Sequence, residues 1–137
     1  MPQDSRINVL VEELKNRFPA LSALYIFGSQ ADGTANSTSD FDLAILLPNC
    51  EKIEPLALYN LKTDLEVLIN ADIDLIDLNA CSTVMAFQII MKGISILVQD
   101  QYYVDNFEVR TMSMYQRLQE ERKGILEEIA RTGNIVS

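Results

Sequence analysis

Residues 21–47 read LSALYIFGSQADGTANSTSDFDLAILL, and the two ends of that stretch decide what the chain folds into. The run 21–27, Leu-Ser-Ala-Leu-Tyr-Ile-Phe, is short, apolar and rich in β-formers, which predicts a buried strand ending at Gly28-Ser29. A glycine there lets backbone N–H groups approach an anion closely. Residues 40–47, Asp-Phe-Asp-Leu-Ala-Ile-Leu-Leu, predict a second buried strand that starts with aspartates at i and i+2. Period-2 geometry places both carboxylates on one face, where they repel each other, and a bound divalent cation is the usual relief. By chance this pairing of Gly-Ser with Asp-x-Asp arises in roughly one chain per several hundred of this length. The spacing therefore carries information that Gly-Ser or Asp-x-Asp alone does not. Between the two ends, residues 30–39 read as a polar loop of small residues.

Downstream, Asp72-Ile73-Asp74-Leu75-Ile76-Asp77-Leu78 reads as a third, acidic strand between the turn signals Asn70-Ala71 and Asn79. Aspartate is depleted in strands, so three in seven residues call for a reason. One reason is an edge strand guarded by charge against aggregation. The other is that Asp74 completes a carboxylate triad with Asp40 and Asp42. Asp72 and Asp74 share a face, and Asp77 falls on the opposite parity.

With these residues in view the chain resembles a minimal nucleotidyltransferase of the DNA polymerase β-like superfamily, whose signature is Gly-Ser, a spacer, Asp-x-Asp and a later strand aspartate. The blocks IFGSQADGTANSTSDFDLAIL, DIDLIDL and MKGISIL carry the likeness, which covers about residues 5–100. Its short length and C-terminal extension are similar to the MNT-type antitoxins of HEPN/MNT toxin–antitoxin pairs. The resemblance implies an α+β fold, a small mixed β-sheet flanked by helices, with a long C-terminal helix. It implies transfer of AMP from ATP to a tyrosine hydroxyl of a HEPN ribonuclease toxin, which forms a hetero-oligomer with the enzyme and is neutralised. On this reading Asp40, Asp42 and Asp74 hold two magnesium ions, Asp74 helps accept the acceptor's proton, and Gly28 and Ser29 hold the β- and γ-phosphates. No basic partner for the triphosphate stands out, with Lys52, Lys62 and Lys92 as candidates.

Composition bounds the chemistry. The 137 residues contain no histidine, which excludes histidine bases, triads and zinc ligands and leaves acid–base and metal chemistry to carboxylates. No apolar stretch approaches a membrane span and no leader pattern is present, so the expected location is cytoplasmic, with no membrane partner. Cys50 and Cys81 form no C-x-x-C pair and read as packing or loop thiols. Net charge is −9, of which −8 lies in residues 1–104 and −1 in residues 105–137. A body so acidic repels a polyanion, so no direct nucleic-acid contact is expected. ATP stays compatible because a cation bridges carboxylate and phosphate.

The remaining periodicities order the chain as helix, strand, loop, strand, helix, strand, helix, strand, helix. Ile7, Leu10, Val11, Leu14 and Phe18 are helically spaced after an Asp4-Ser5 cap, with Pro19 closing the segment. Leu58, Leu61, Leu65, Leu68 and Ile69 mark a second helix, and Ser82 caps a third that ends at Gly93 before the strand 94–98. From about Tyr103 one long charged helix follows, with an incomplete apolar stripe of Phe107, Met114, Leu118, Ile125 and Ile129. It either packs on its own core or forms a partner-docking arm. The expected division is a nucleotidyltransferase domain over 1–101 and a C-terminal helical extension over 102–137. Two other functions remain: a non-catalytic antitoxin that masks its toxin through this helix, and a small-molecule (antibiotic) nucleotidyltransferase. The latter lacks a second domain to build a drug pocket.

Overall fold

The computed structural model describes residues 5–33 and 40–133. Asp4, half of the expected first cap, and Asn134 of the tail lie outside them. The elements are α1 (Ser5–Arg17), β1 (Ala23–Phe27), α2 (Ser29–Asp32), β2 (Phe41–Leu46), α3 (Pro55–Ile69), β3 (Ile73–Asp77), α4 (Thr83–Lys92), β4 (Ile94–Val98) and α5 (Gln101–Thr132). They form the mixed α+β architecture expected, with one difference. Residues 30–32, read as loop, belong to a single helical turn, because the Gly28 carbonyl accepts the N–H groups of Ala31 and Asp32.

The sheet runs β3-β2-β1-β4, with β1 antiparallel to both neighbours and β2 parallel to β3. Strand alternation divides the core in two. Leu24, Ile26, Leu43, Ile45, Ile73 and Leu75 pack against Leu10 and Leu14 of α1 and Leu61 and Leu65 of α3. Ala23, Tyr25, Ala44 and Leu46 face α4 and α5, meeting Ala86, Ile89, Val104 and Phe107. Pro55 opens α3, where its missing N–H costs nothing, and Asn70 closes it in the left-handed conformation. Ser82 caps α4 as predicted, its hydroxyl accepting the N–H of Met85. Cys50 and Cys81 are free thiols.

The first turns of the long helix α5 pack on the domain's own core, one of the two things the sequence allows, and its later turns do not. Asp100 caps it by accepting the N–H of Tyr103, and Val104, Phe107 and Thr111 are buried. Phe107, the first residue of the apolar stripe, is only 6% exposed because it completes the second core. The Tyr25 hydroxyl donates to Glu108 at 2.6 Å, and the Phe87 and Tyr115 rings stack at 3.7 Å. Beyond that stack the helix leaves the domain: Leu118, Ile125 and Leu126 are 43%, 53% and 55% exposed. No described helix is long and apolar enough to cross a membrane.

Candidate active site

Strand direction assembles the site. β2 and β3 run parallel, so Asp42 and Asp74, near their starts, lie at one end of the sheet and pair in register. β1 runs the other way, so its last residue, Phe27, pairs with Asp42 and delivers Gly28 to the same end. Asp42 and Asp74 share the sheet face of Ala44, the face that α4 and α5 cover. Asp40 stands exposed just before β2. The loop expected between Gly28-Ser29 and Asp40 falls, over residues 34–39, outside the described residues.

Gly28 is the tightest point. Its φ of 67° and ψ of −147° suit only glycine, and a Cβ built on it would sit 2.1 Å from Oδ2 of Asp42. The glycine therefore brings the backbone against the carboxylate, and Ser29 follows half-buried as the first residue of α2. Gln30, read as a loop residue, is instead buried, with Nε2 at 3.5 Å from the Asp40 carbonyl, where it supports the approach to β2. No local sequence signal distinguishes it from its polar neighbours.

The carboxylates of the site act on one another. The Asp42 carboxyl is raised above the ordinary carboxylate range, first by partial burial and then by repulsion from Asp74 and Asp40. Among the described residues no three His, Cys, Asp or Glu side chains already surround one point closely enough to hold a metal ion. The fold thus brings the three aspartates together as neighbours rather than as a closed cage, an arrangement their mutual repulsion favours. As a donor set, three hard carboxylates on one sheet end fit a hard divalent cation.

Two further acidic residues hold the frame. Glu66 on α3 accepts the N–H of Ile73, the residue before Asp74, at 2.9 Å and pairs with Lys62 at 3.0 Å. These partners, Ile73 first, hold its carboxyl below the usual range. Asp77 lies off the site's face, as its parity requires, and is buried. Its carboxylate accepts the N–H groups of Ile53 at 2.8 Å and Asn79 at 3.1 Å, tying the β2–α3 loop to the end of β3.

The chain is similar to known proteins in sequence and in fold. The family model described as Polymerase beta, Nucleotidyltransferase matches residues 8–102. Over 122 residues the chain is 34% identical to Protein adenylyltransferase MntA of Shewanella oneidensis, covering 89% of this chain and 86% of that protein. It is also similar to a crystal structure of a toxin-antitoxin with AMP-PNP, at a TM-score of 0.78 and 33% identity, over 90% of this chain and 97% of that one. A structure of tri-AMPylated Shewanella oneidensis HEPN toxin in complex with MNT antitoxin matches at a TM-score of 0.73 and 31% identity, over 91% and 96%.

Proposed function

The chain belongs to the polymerase beta nucleotidyltransferase family, and from that premise we propose that it transfers AMP from ATP to a tyrosine hydroxyl of a HEPN toxin, neutralising it in the cytoplasm. The observation that carries the proposal is the meeting of Gly28 with Asp42 beside Asp74 at one sheet end. Relatives of matching length include a protein adenylyltransferase and an MNT antitoxin in complex with an AMPylated HEPN toxin, which supports this acceptor.

In the proposed mechanism Asp40, Asp42 and Asp74 would hold magnesium, two ions being expected. Bound there, magnesium would supply the bridge between acidic protein and acidic nucleotide and activate the attacking oxygen. Gly28, with no side chain, lets the backbone approach the β- and γ-phosphates, and Ser29 adds a hydroxyl and an N–H that orient pyrophosphate as leaving group. Asp74, exposed at the sheet end, receives the proton of the incoming hydroxyl, a role with no histidine to fill it. Attack of the tyrosine oxygen on the α-phosphorus forms the phosphodiester and breaks the bond to pyrophosphate. The exposed half of α5, from Met112 onward, serves as the arm that holds the partner.

Calorimetry with ATP in magnesium and in EDTA tests the site, together with labelled AMP transfer from ATP to the co-purified toxin. The expected result is metal-dependent binding that the Asp40→Asn, Asp42→Asn double variant loses along with transfer. Undiminished metal-free affinity would refute the site. A double variant that no longer transfers AMP yet still neutralises the toxin would establish masking through the exposed α5 stripe instead.

A further inference from the structure

We propose that Lys92 is the cation that binds the nucleotide's triphosphate. This rests on the nucleotidyltransferase reading above and adds one residue to its site. A triphosphate entering beside three aspartates needs positive charge from the protein as well as from metal, and the fold separates the three lysines that sequence left open.

Lys52 lies at the wrong end of the sheet. Its neighbours in the β2–α3 loop are bound there, Cys50 N–H to the Tyr103 hydroxyl and Ile53 N–H to Asp77 at the close of β3. Lys62 lies on α3, across the sheet from α4, and is engaged by Glu66. Lys92 is the last residue of α4, the helix that crosses the face carrying Asp42 and Asp74. The next residue, Gly93, runs so close to β1 that an added Cβ would stand 2.8 Å from the Ile26 carbonyl, two residues before Gly28. Ile26 pairs with Ile94 on the far side of that glycine. The end of α4 is thereby held beside the strand end that turns into the candidate phosphate-binding residues.

The helix circumference agrees. Ala86 and Ile89 of α4 are buried against the sheet, and Phe87 is stacked on Tyr115 of α5. Lys92 is five residues from Phe87, about 140° around the helix, so it occupies a flank that α5 does not cover. It is exposed and forms no ion pair among the described residues. A lysine in the last helical turn also complements the helix dipole. That role would register in thermal stability and not in preference for a triphosphate.

The test measures ATP and AMP affinity by calorimetry in magnesium, without toxin, for wild type, Lys92→Gln, Lys92→Arg and the reference Lys52→Gln, with melting temperatures alongside. Loss of one charge-assisted contact should weaken ATP binding by Lys92→Gln about tenfold and change AMP binding less than about twofold. Lys92→Arg should recover most of the ATP affinity, Lys52→Gln should match wild type, and melting should fall only slightly in Lys92→Gln, by the small helix-dipole contribution. Wild-type ATP affinity in Lys92→Gln overturns the assignment, as does equal loss for ATP and AMP with a lower melting temperature. A wild-type protein that binds no ATP overturns the nucleotidyltransferase reading itself, so the two failures are distinct.

Discussion

Replacing Gly28 with alanine probes the contact on which the site is built. The backbone at φ 67° and ψ −147° lies outside the ordinary left-handed basin, in a region that costs a side-chain-bearing residue about 1–3 kcal/mol. The new methyl carbon would also stand 2.1 Å from Oδ2 of Asp42, so that carboxylate must leave its position, at about 0.5–1.5 kcal/mol if it goes off-rotamer. Together these predict a loss of roughly 1.5–4.5 kcal/mol in stability. Gly33 provides the matched reference: its φ of 80° is also positive, but no atom of the described residues lies within 4 Å of an added Cβ, so Gly33→Ala should cost about 1–2 kcal/mol. Urea unfolding of both variants measures the difference. Labelled AMP transfer should fall about 100-fold or more in Gly28→Ala, because a candidate ligand is displaced by an ångström or more, and stay near wild type in Gly33→Ala. Adding Asp42→Ala to Gly28→Ala should recover the steric part of the stability loss, which a double-mutant cycle isolates. If Gly28→Ala matches Gly33→Ala in both stability and transfer, the close approach of glycine to aspartate does not organise the site.

Three further outcomes follow from the same structure. The Asp42 carboxyl titrates above its ordinary value in the folded protein, so the folded state holds that proton more tightly than the unfolded chain, and metal-free stability falls as pH rises from the ordinary carboxylate range through the raised one. Asp42→Asn should remove that decline and stabilise the metal-free protein at pH 7 by a few tenths to about 1 kcal/mol after solvent screening, while abolishing stabilisation by added magnesium; thermal melts across pH and metal decide it, and a less stable variant contradicts the repulsion argument. Asp77→Asn should lower stability by about 1–3 kcal/mol through its two partly buried N–H partners and leave ATP affinity intact, whereas Asp74→Asn should lower transfer far more than ATP affinity; equal loss of transfer in the two, with folding confirmed by circular dichroism, would place both on the site. Ending the chain at Thr111 should keep a cooperative melt and ATP binding but lose transfer to the toxin, whereas ending it at Asn106 should cost about 3–5 kcal/mol by removing Phe107; cooperative melting at wild-type temperature in the shorter protein would show that Phe107 is not part of the core.

Strand placement was legible because burial on both faces makes strands of continuous apolar runs, and residues 21–27 and 40–47 are such runs. Their ends in the structure, Ala23–Phe27 and Phe41–Leu46, fall within one or two residues of the expected ones. The neighbourhood of the site was partly legible, since parity alone places Asp42 and Asp74 on definite faces of their own strands. That these are the same face of one sheet depends on the parallel pairing of β2 with β3, a long-range choice that neither segment encodes locally. Asp77 shows the same limit from the other side. Parity removed it from the site, but its burial and its grip on Ile53 come from a loop 24 residues away. Gln30 and Glu66 were illegible for a related reason, each being an ordinary polar residue whose partner is supplied by tertiary structure.

The long helix marks where periodicity stops being informative. Phe107 and Leu118 are eleven residues apart, about three turns, and therefore lie on nearly the same side of α5. One is buried in the second core and the other is 43% exposed, because the domain beneath the helix ends between them, near the stack of Tyr115 on Phe87. An apolar stripe records that a face is meant to be covered, without recording whether its own domain or another protein covers it. Here the stripe continues past the domain's edge as Leu118, Ile125 and the half-buried Ile129, on a segment close to neutral while the body carries nearly all of the net negative charge. In the proposed function a partner on that segment would meet apolar side chains with little electrostatic penalty. In the proposed function α5 would join recognition to chemistry. The turns of α5 around Val104 and Phe107 anchor it to the sheet, and the Tyr25–Glu108 hydrogen bond ties it to the strand that ends at Gly28.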